Sequence, residues 1–506
     1  MCVIRNCTCS IALRLAISVG VIFLAPAALS QVLQQVAAQS PAALSTSLAA
    51  TQESDNSSAG PLLGGGGGAD FTELMTLIQQ TIDPDAWIDA SSVMTPFPSG
   101  VSIDPAGQLK QIDFAETAID LATPHRSGVR QLWRTTSPLR VVSLRQLDRA
   151  ISRLAAAGLP TSPEHRLLAG LSRIEFVYVD RAGEDVLLAG PADGSRSPAL
   201  QGFQLDDLGL LVELINARTS PLGCSIDPTD DGILAAQQLL QPRSAAKRLA
   251  IDPEKFAGQM QSAIGPHHVR VFGMPTGSPA ALALVAADEH MKQIGFGTAH
   301  TAVSIENYFE HLDRQSDVPA QSLIRWWFAY AQEPILCDTA RDIFQLPEQC
   351  VALLSEQQWV SLLGRKATGQ QDAAADGFAA GMTAGLPELR RSHPAYARLC
   401  ALYEFALALQ LATEATGQPS LQAWFPHLTA IGKSTAGHVR EPQTVSGLTA
   451  WHRLQQGTVV AVVSGGVQIN ARSAARPSAW RSKVLPVELP TSSAKNHSSH
   501  APWWWD

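Results

Sequence analysis

The chain has 506 residues, with 37 lysines and arginines against 45 aspartates and glutamates, a formal net charge of −8 and 45% hydrophobic residues. That balance excludes a nucleic-acid binder, which needs a concentrated basic face; the arginines between Arg126 and Arg153 alternate instead with acidic and apolar residues. Beyond the first 30 residues no apolar run reaches the roughly 20 residues of a membrane span, so the mature chain is expected to lack a transmembrane segment.

The first element is a leader. MCVIRNCTCSIALRLAISVGVIFLAPAALSQ places Arg5 and Arg14 ahead of an apolar run from Leu15 to Leu29, with small residues at Ala28 and Ser30. This is the pattern of a secretory signal peptide over residues 1–30, so an exported, periplasmic or extracellular protein is expected. Cys2, Cys7 and Cys9 all precede the apolar run and are misplaced for a lipoprotein anchor. Without Arg5 and Arg14, 35 basic residues face 45 acidic ones, a net charge of about −10. Residues 31–69, rich in Ala, Ser, Gln and Gly and ending in Gly64–Gly68, cannot bury enough apolar surface to offset their chain entropy and are predicted to form a disordered tether. A small lead-in is expected over 70–135. Asp70 and Glu73 are set for a capping box ahead of a stripe of Phe71, Leu74, Leu77, Ile78 and Ile82; Pro84 ends that helix, and GVSIDPAGQLKQID suggests a hairpin.

An α+β core is predicted over 136–300, with an α/β core as the alternative. SLRQLDRAISRLAAAG forms a helix with Ser143 as cap, Leu144, Leu147, Ile151 and Leu154 on one face, and Gly158 as stop. IEFVYV (174–179) and DVLLAG (185–190) form a hairpin around Asp180–Glu184. A helix over 205–217, a strand around Cys224–Ile226, two further helices, the strand HHVRVFGM and a helix from Ser278–Pro279 to about Ile294 complete the core, with both crossovers expected over one sheet face. Residues 301–430 are read as a mostly helical continuation, with helices at 374–384 and 395–412; the aromatic and β-branched runs of RWWFAYAQEPILCDTARDIFQLP suit strands. Over 431–506 a strand pair at TVVAVVSGGVQIN is followed by a disordered tail ending in PWWWD.

The strongest chemical offer is GCSIDPTDDG, whose Asp227, Asp230 and Asp231 precede Gly232 as in a calcium loop. A loop begun at Asp227 would place Gln238 at its twelfth position, where a bidentate Glu is needed. A helix start explains more: Ile-Asp-Pro recurs at Ile82, Ile103, Ile226 and Ile251, with Asp as cap and Pro in the first turn. VFGMPTGSPAALALV has neither P-loop nor dinucleotide spacing, and Ser278 with Pro279 reads as another helix start; no cofactor is expected. His267 and His268, adjacent on a strand, should face opposite sides, one buried and one solvated. His290, near Asp288 and Lys292, suits acid–base work but has no nameable partner, and Cys224 reads as a buried structural thiol before a nucleophile. GxSxG and HExxH are absent. Trp326 and Trp327 are expected in the core or at a domain seam, whereas Trp503–Trp505 suggest docking into a partner's groove, with a tail that binds nothing as the simpler expectation. Cys224, Cys337, Cys350 and Cys400 allow one or two disulfides with three full pairings open, and without a CxxC pair no zinc site is expected.

VVSLRQLDRAI, LAGLSRIEFVYVDRAGEDVLLAGPADG, LDDL, GCSIDPTDDG and VRVFGMPTGSPAALALVAADEHMKQIGFG, followed by RWWFAYAQEPI, resemble in order a domain-of-unknown-function family of exported planctomycete bacterial proteins, over about residues 141–411. Where that family has a Tyr-Arg pair before Met-Lys, this chain has Glu289 and His290. The resemblance implies export and one contiguous core; it brings no activity and no site residues. The functional expectation is a non-catalytic envelope or matrix protein that binds an unidentified envelope protein or polymer, with a secreted hydrolase acting on cell-surface polymers as the alternative.

Overall fold

The computed structural model describes residues 132–240, 244–315, 323–361, 364–367, 372–417, 421–434, 442–454, 457–485 and 502–506. The leader, the tether, the lead-in helix and its hairpin lie outside the described residues.

In chain order the elements are β1 (Thr136–Ser143), α1 (Leu144–Ala156), α2 (Pro163–Arg166), β2 (Phe176–Asp180), β3 (Asp185–Asp193), α3 (Leu205–Asn216), β4 (Leu222–Asp227), α4 (Asp230–Leu240), α5 (Ala245–Ile251), α6 (Pro253–Ile264), β5 (His267–Phe272), α7 (Pro279–Gly295) and α8 (Tyr308–Leu312). They continue with β6 (Leu323–Tyr330), β7 (Ile335–Cys337), β8 (Ile343–Gln345), β9 (Val351–Ser361), β10 (Gly364–Ala367), α9 (Ala373–Ser392), α10 (Pro394–Thr416), α11 (Pro426–Ser434), β11 (Thr444–Val445), β12 (Thr449–Leu454), β13 (Gly457–Ile469), α12 (Ala471–Ala474), β14 (Trp480–Ser482) and β15 (Trp504–Trp505). The fold is α+β. Its strands form a seven-stranded sheet, β14-β7-β8-β2-β3-β1-β15, and an eight-stranded sheet, β10-β9-β6-β13-β4-β5-β11, with β12 paired to β13.

Local chemistry sets the boundaries. Ser143 accepts from Gln146 N and starts α1, Asp252 accepts from Lys255 N with Pro253 at the first position of α6, and Ser278 accepts from Ala281 N with Pro279 opening α7. The hairpin of β2 and β3 closes through Gly183 N, which donates to Asp180 Oδ1 at 2.8 Å. Beyond Ile305 the chain supplies strands β6–β15 as well as the two longest helices among the described residues, α9 and α10.

TVVAVVSGGVQIN is not a strand pair but most of β13, which runs antiparallel to β4 and parallel to β6 in the middle of the second sheet. Its Val-rich pattern suits a strand covered on both faces, where strict alternation is not required. The helices do not all cross one face. Val460 and Val462 pack against the cluster of Ala236, Leu249, Phe256 and Met260 from α4–α6, whereas α7 meets the opposite face at Gly465. Odd and even residues of one strand point to opposite sides, so β13 is covered twice.

Helix α10 has no polar face. Its residues from Leu399 to Ala412 are all buried, as expected of a helix that is apolar all round. Its few polar groups bond outward to both sheets. Tyr403 Oη donates to Gln468 O of β13 at 3.1 Å, and Glu404 Oε2 accepts from Ile174 N, just ahead of β2, at 2.8 Å. Arg390 of α9 forks onto Glu404, and Arg398 forks onto Asp207 of α3 with both contacts at 2.7 Å. Elsewhere α3 and α11 cross closely: a Cβ at Gly432 would lie 2.3 Å from Gly209 O, so a larger residue there would push the helices apart.

Removing the Glu404 carboxylate strands both the Arg390 guanidinium and the Ile174 amide in the interior. Glu404→Ala is expected to lower the unfolding free energy by about 3–5 kcal/mol in urea titrations; a loss below about 1 kcal/mol would show that this carboxylate does not tie the central helix to its neighbours.

Candidate functional site

The three aspartates of the calcium-like stretch separate. Asp227 ends β4 and is half-buried, while Asp230 and Asp231 are exposed in the first turn of α4. Thr229 Oγ1 accepts from Gly232 N at 3.0 Å, so the helix starts two residues later than an Asp227 cap would start it, with Asp230 and Asp231 favouring its positive end. Asp227 turns toward Arg325 of β6, with Oδ1 to Nε at 3.9 Å. Among the described residues no group of three or more His, Cys, Asp or Glu side chains is placed to hold a metal ion.

On the α7 face of the second sheet lies a sealed ion pair. Lys292 Nζ is 2.7 Å from Asp288 Oδ2 and 3.2 Å from Glu289 Oε1, and it donates to Ile226 O at 3.4 Å. Asp288 and Lys292 are one helical turn apart and share one face, with 0% and 1% exposure. Room for them comes from Gly465, where a Cβ would lie 2.6 Å from Asp288 Oδ1 and 2.8 Å from Lys292 Cε. Burial pushes the Asp288 carboxyl up to about 6 against the pull of Lys292. Burial opposes the lysine's charge too, yet Asp288 and Glu289 outweigh it and hold Lys292 protonated. Cys224 packs beside this pair. Burial, and then the Asp288 charge, raise its thiol well above the usual range, so it is a packed apolar group and not an activated nucleophile. Cys337, Cys350 and Cys400 are likewise buried free thiols.

On the opposite face a polar row crosses the sheet. Asp227 pairs with His268 of β5, Ser464 of β13 with Arg325, and Arg325 with Glu356 of β9; the register of β13 on β4 places Ser464 beside Asp227. Arg325 lies over the Trp327 ring at 5.5 Å. Ser464 is wholly buried and its hydroxyl has no hydrogen-bond partner among the described residues. Its register neighbours on the adjoining strands are Asp227 and Arg325.

The histidines resolve as their positions require. His267 is buried and His268 exposed. His290 lies two residues from both Asp288 and Lys292 and so points away from them. Its ring stacks on His393 at 4.2 Å, with Nδ1 3.1 Å from Tyr396 Oη. Burial, and then His393, push His290 down to about 4 from its ordinary 6.5; burial lowers His393 as well.

The last described residues are not a free tail. Trp505 and Trp504 pair antiparallel with Val141 and Val142 of β1, and Ser143 N donates to Trp503 O at 2.9 Å. Beneath them Arg140 is 0% exposed. Its Nη1 donates to Trp133 O at 2.7 Å and Ala169 O at 2.5 Å; its Nε and Nη2 donate to Asp506 Oδ1 and Oδ2 at 2.7 and 2.9 Å. Trp504 lies over the Arg140 guanidinium at 4.4 Å and donates from Nε1 to Glu164 at 2.5 Å. Trp503, buried, stacks on His165 at 5.1 Å, and Trp505 packs with Val141, Phe176 and Leu187. The Arg140 bond holds the Asp506 carboxyl below the usual range. This corrects the sequence expectation of a disordered tail that binds nothing: the three tryptophans pair with and pack on their own chain, over Arg140.

Clefts on the surface of the described residues include the following two. One of about 240 Å³ is lined by Arg218, Gln410, Glu414 and Arg472. The other, about 160 Å³, is lined by Trp133, Arg134, Pro163 and Leu167 and adjoins the tryptophan groove. Both fall below the roughly 300 Å³ at which small-molecule sites begin.

The fold and these sites define an α+β protein with buried ion pairs and a strand-lined groove. Residues 224–308, from β4 to the start of α8, match the model of a family described as a protein of unknown function (DUF1598). No curated protein and no solved structure matches.

Two expectations follow from the buried groups. Lys292→Met leaves Asp288 without its counter-charge and should cost about 3–5 kcal/mol. Adding Asp288→Leu should recover part of that loss, and a double-mutant cycle showing additivity would remove the coupling. For His290 the unfolded chain takes up a proton near pH 6.5 and the folded chain only near 4. Stability is therefore full above about pH 6.5 and falls as the pH drops toward 4. His290→Gln should flatten that fall in pH-resolved thermal melts; an unchanged slope would assign it to other groups.

Proposed function

We propose that this chain is an exported, non-catalytic envelope or matrix protein that captures a partner by strand addition at the β1 edge. The observation that carries this reading is the wholly buried Arg140, whose fork is filled by the Asp506 carboxylate of a strand far away in the sequence. In strand addition, main-chain bonds supply affinity and side-chain pockets supply specificity. Here β1 supplies the main-chain bonds, His165 and Glu164 receive two tryptophans, and Arg140 reads a carboxylate. The matching ligand is an extended peptide with adjacent aromatic residues followed at once by an acid. Export is supported by Arg5 and Arg14 ahead of the apolar run from Leu15 to Leu29. A hydrolase of cell-surface polymers is the weaker reading. Its best candidate, Ser464, is sealed from solvent and lies between Asp227 and Arg325.

Bonds to a charged group contribute about 1.5–3 kcal/mol. In a chain ending at residue 501, checked for native circular dichroism, a peptide of residues 496–506 should bind and raise the melting temperature. The same peptide with Asp506→Asn should bind about 10–100-fold more weakly by fluorescence titration. Equal binding of the two peptides would remove Arg140 as the reader of the acid.

A further inference from the structure

We infer that the cleft where α3, α10 and α12 meet binds a hydrogen phosphate group, free or at the end of an ester. It is separate from strand capture, because the cleft shares no residue with the β1 groove. Arg218 and Thr219 follow α3, Gln410 and Glu414 come from the last turns of α10, and Arg472 lies in the first turn of α12. Ser220 Oγ donates to Asn470 Oδ1 at 3.2 Å, which ties the segment carrying Arg218 to the start of the helix carrying Arg472. Among the described residues neither guanidinium of this cleft has a hydrogen bond or an ion pair, and both side chains are exposed, so both forks are open to a ligand. Arg140, Arg390 and Arg398, by contrast, each fork onto a carboxylate.

The backbone at Arg218 is a second, independent observation. Helix α3 ends in a left-handed turn in which Arg218 N donates to Ile215 O and Thr219 N to Leu214 O, both at 2.9 Å, with Arg218 at φ 58°. Glycine is the usual residue at that position, so an arginine there is strained, and strain of this kind concentrates where a side chain serves a ligand. The negative end of α3 accounts for a positive charge nearby. It does not account for placing that charge where the backbone favours glycine, or for the second guanidinium on α12. Size and charge then select the ligand. At about 240 Å³ the cleft fits one ionic group and its immediate neighbours. A carboxylate fills one guanidinium fork with its two oxygens, whereas a tetrahedral oxyanion has oxygens left for a second fork. Glu414 separates phosphate from sulfate. Its Oε1 accepts from Gln410 Nε2 at 3.0 Å, and an ionised carboxylate can only accept, so it repels bare oxyanion oxygens. Hydrogen phosphate has a P–OH to donate to it; sulfate at neutral pH has no proton to give. A Cβ at Gly417, which also lines the cleft, would meet nothing within 4 Å, so the rest of an ester has an exit there.

The test is calorimetric titration of the full chain with sodium phosphate, sodium sulfate and glycerol phosphate, in a buffer free of both anions. Phosphate should bind at one site, about 10-fold or more tighter than sulfate. Arg472→Gln should weaken phosphate binding about 10–100-fold. Arg218→Gly should weaken it as much while leaving the melting temperature without phosphate the same or higher, because glycine relieves the left-handed strain. A folding defect cannot produce that pair of changes. Glu414→Gln should bring sulfate binding up to that of phosphate. Whichever of phosphate and glycerol phosphate binds more tightly identifies the source as the free ion or an ester. No binding at millimolar phosphate, or binding that survives both arginine substitutions, would overturn the site. Equal binding of phosphate and sulfate by the unaltered chain would overturn the role of Glu414 and with it the assignment to phosphate.

Discussion

The structure depends on one helix that has nowhere to show a polar face. Helix α10 lies between the two sheets, and three of its polar groups find partners on different layers: Tyr403 on β13, Glu404 on the amide ahead of β2 and on Arg390, and Arg398 on Asp207 of α3. Apolar burial alone is non-directional and fixes the register of such a helix only through the shapes that pack against it. A buried carboxylate that must meet both a backbone amide and a guanidinium permits few positions. Here the buried charges choose one register out of many apolar ones, at some expense in stability.

The same logic recurs at the other sealed pairs. Lys292 and Asp288 need the missing side chain of Gly465, so the β13 register and the seating of α7 fix each other. Arg140 needs a carboxylate, and Asp506 supplies it from outside the sheet's own strands. These pairs differ in one respect that bears on function. The first is locked within one helix, whereas the second joins an edge strand to a segment held by two register pairs and three tryptophans.

Much of the fold was legible in the sequence because it is local. Caps at Ser143, Asp252 and Ser278, the Asp180–Glu184 turn and the opposed faces of His267 and His268 all follow from neighbours within a few residues. What escaped is long-range. TVVAVVSGGVQIN has the composition of a strand or strand pair, but its place between β4 and β6 depends on partners more than a hundred residues away. The Asp227 cluster reads as a helix start with Asp227 as cap, because its members are adjacent in sequence; the cap is Thr229. The turn at Thr229 sends Asp227 along the strand toward Arg325 and the other two into the helix. The tryptophan segment reads as the end of a disordered tail because its receptors, Arg140, Glu164 and His165, lie more than three hundred residues earlier and carry no local mark.

The matched segment 224–308 clarifies where function can reside. It contributes β4 and β5 to the second sheet, together with α4–α7. By itself it would leave Cys224, Ile226 and the Asp288–Lys292 pair uncovered, because β13, which supplies Gly465, and β6, which supplies Trp326, come from later in the chain. That segment thus supplies two strands of an eight-stranded sheet, completed by strands outside it. The groove at β1 belongs to the other sheet and shares no residue with the match. A role for the buried pair is accordingly architectural, since a charge sealed between helix and strand meets no ligand. The β1 edge, by contrast, holds its aromatic, acid-bearing segment through main-chain pairing and through Arg140, which binds the acid.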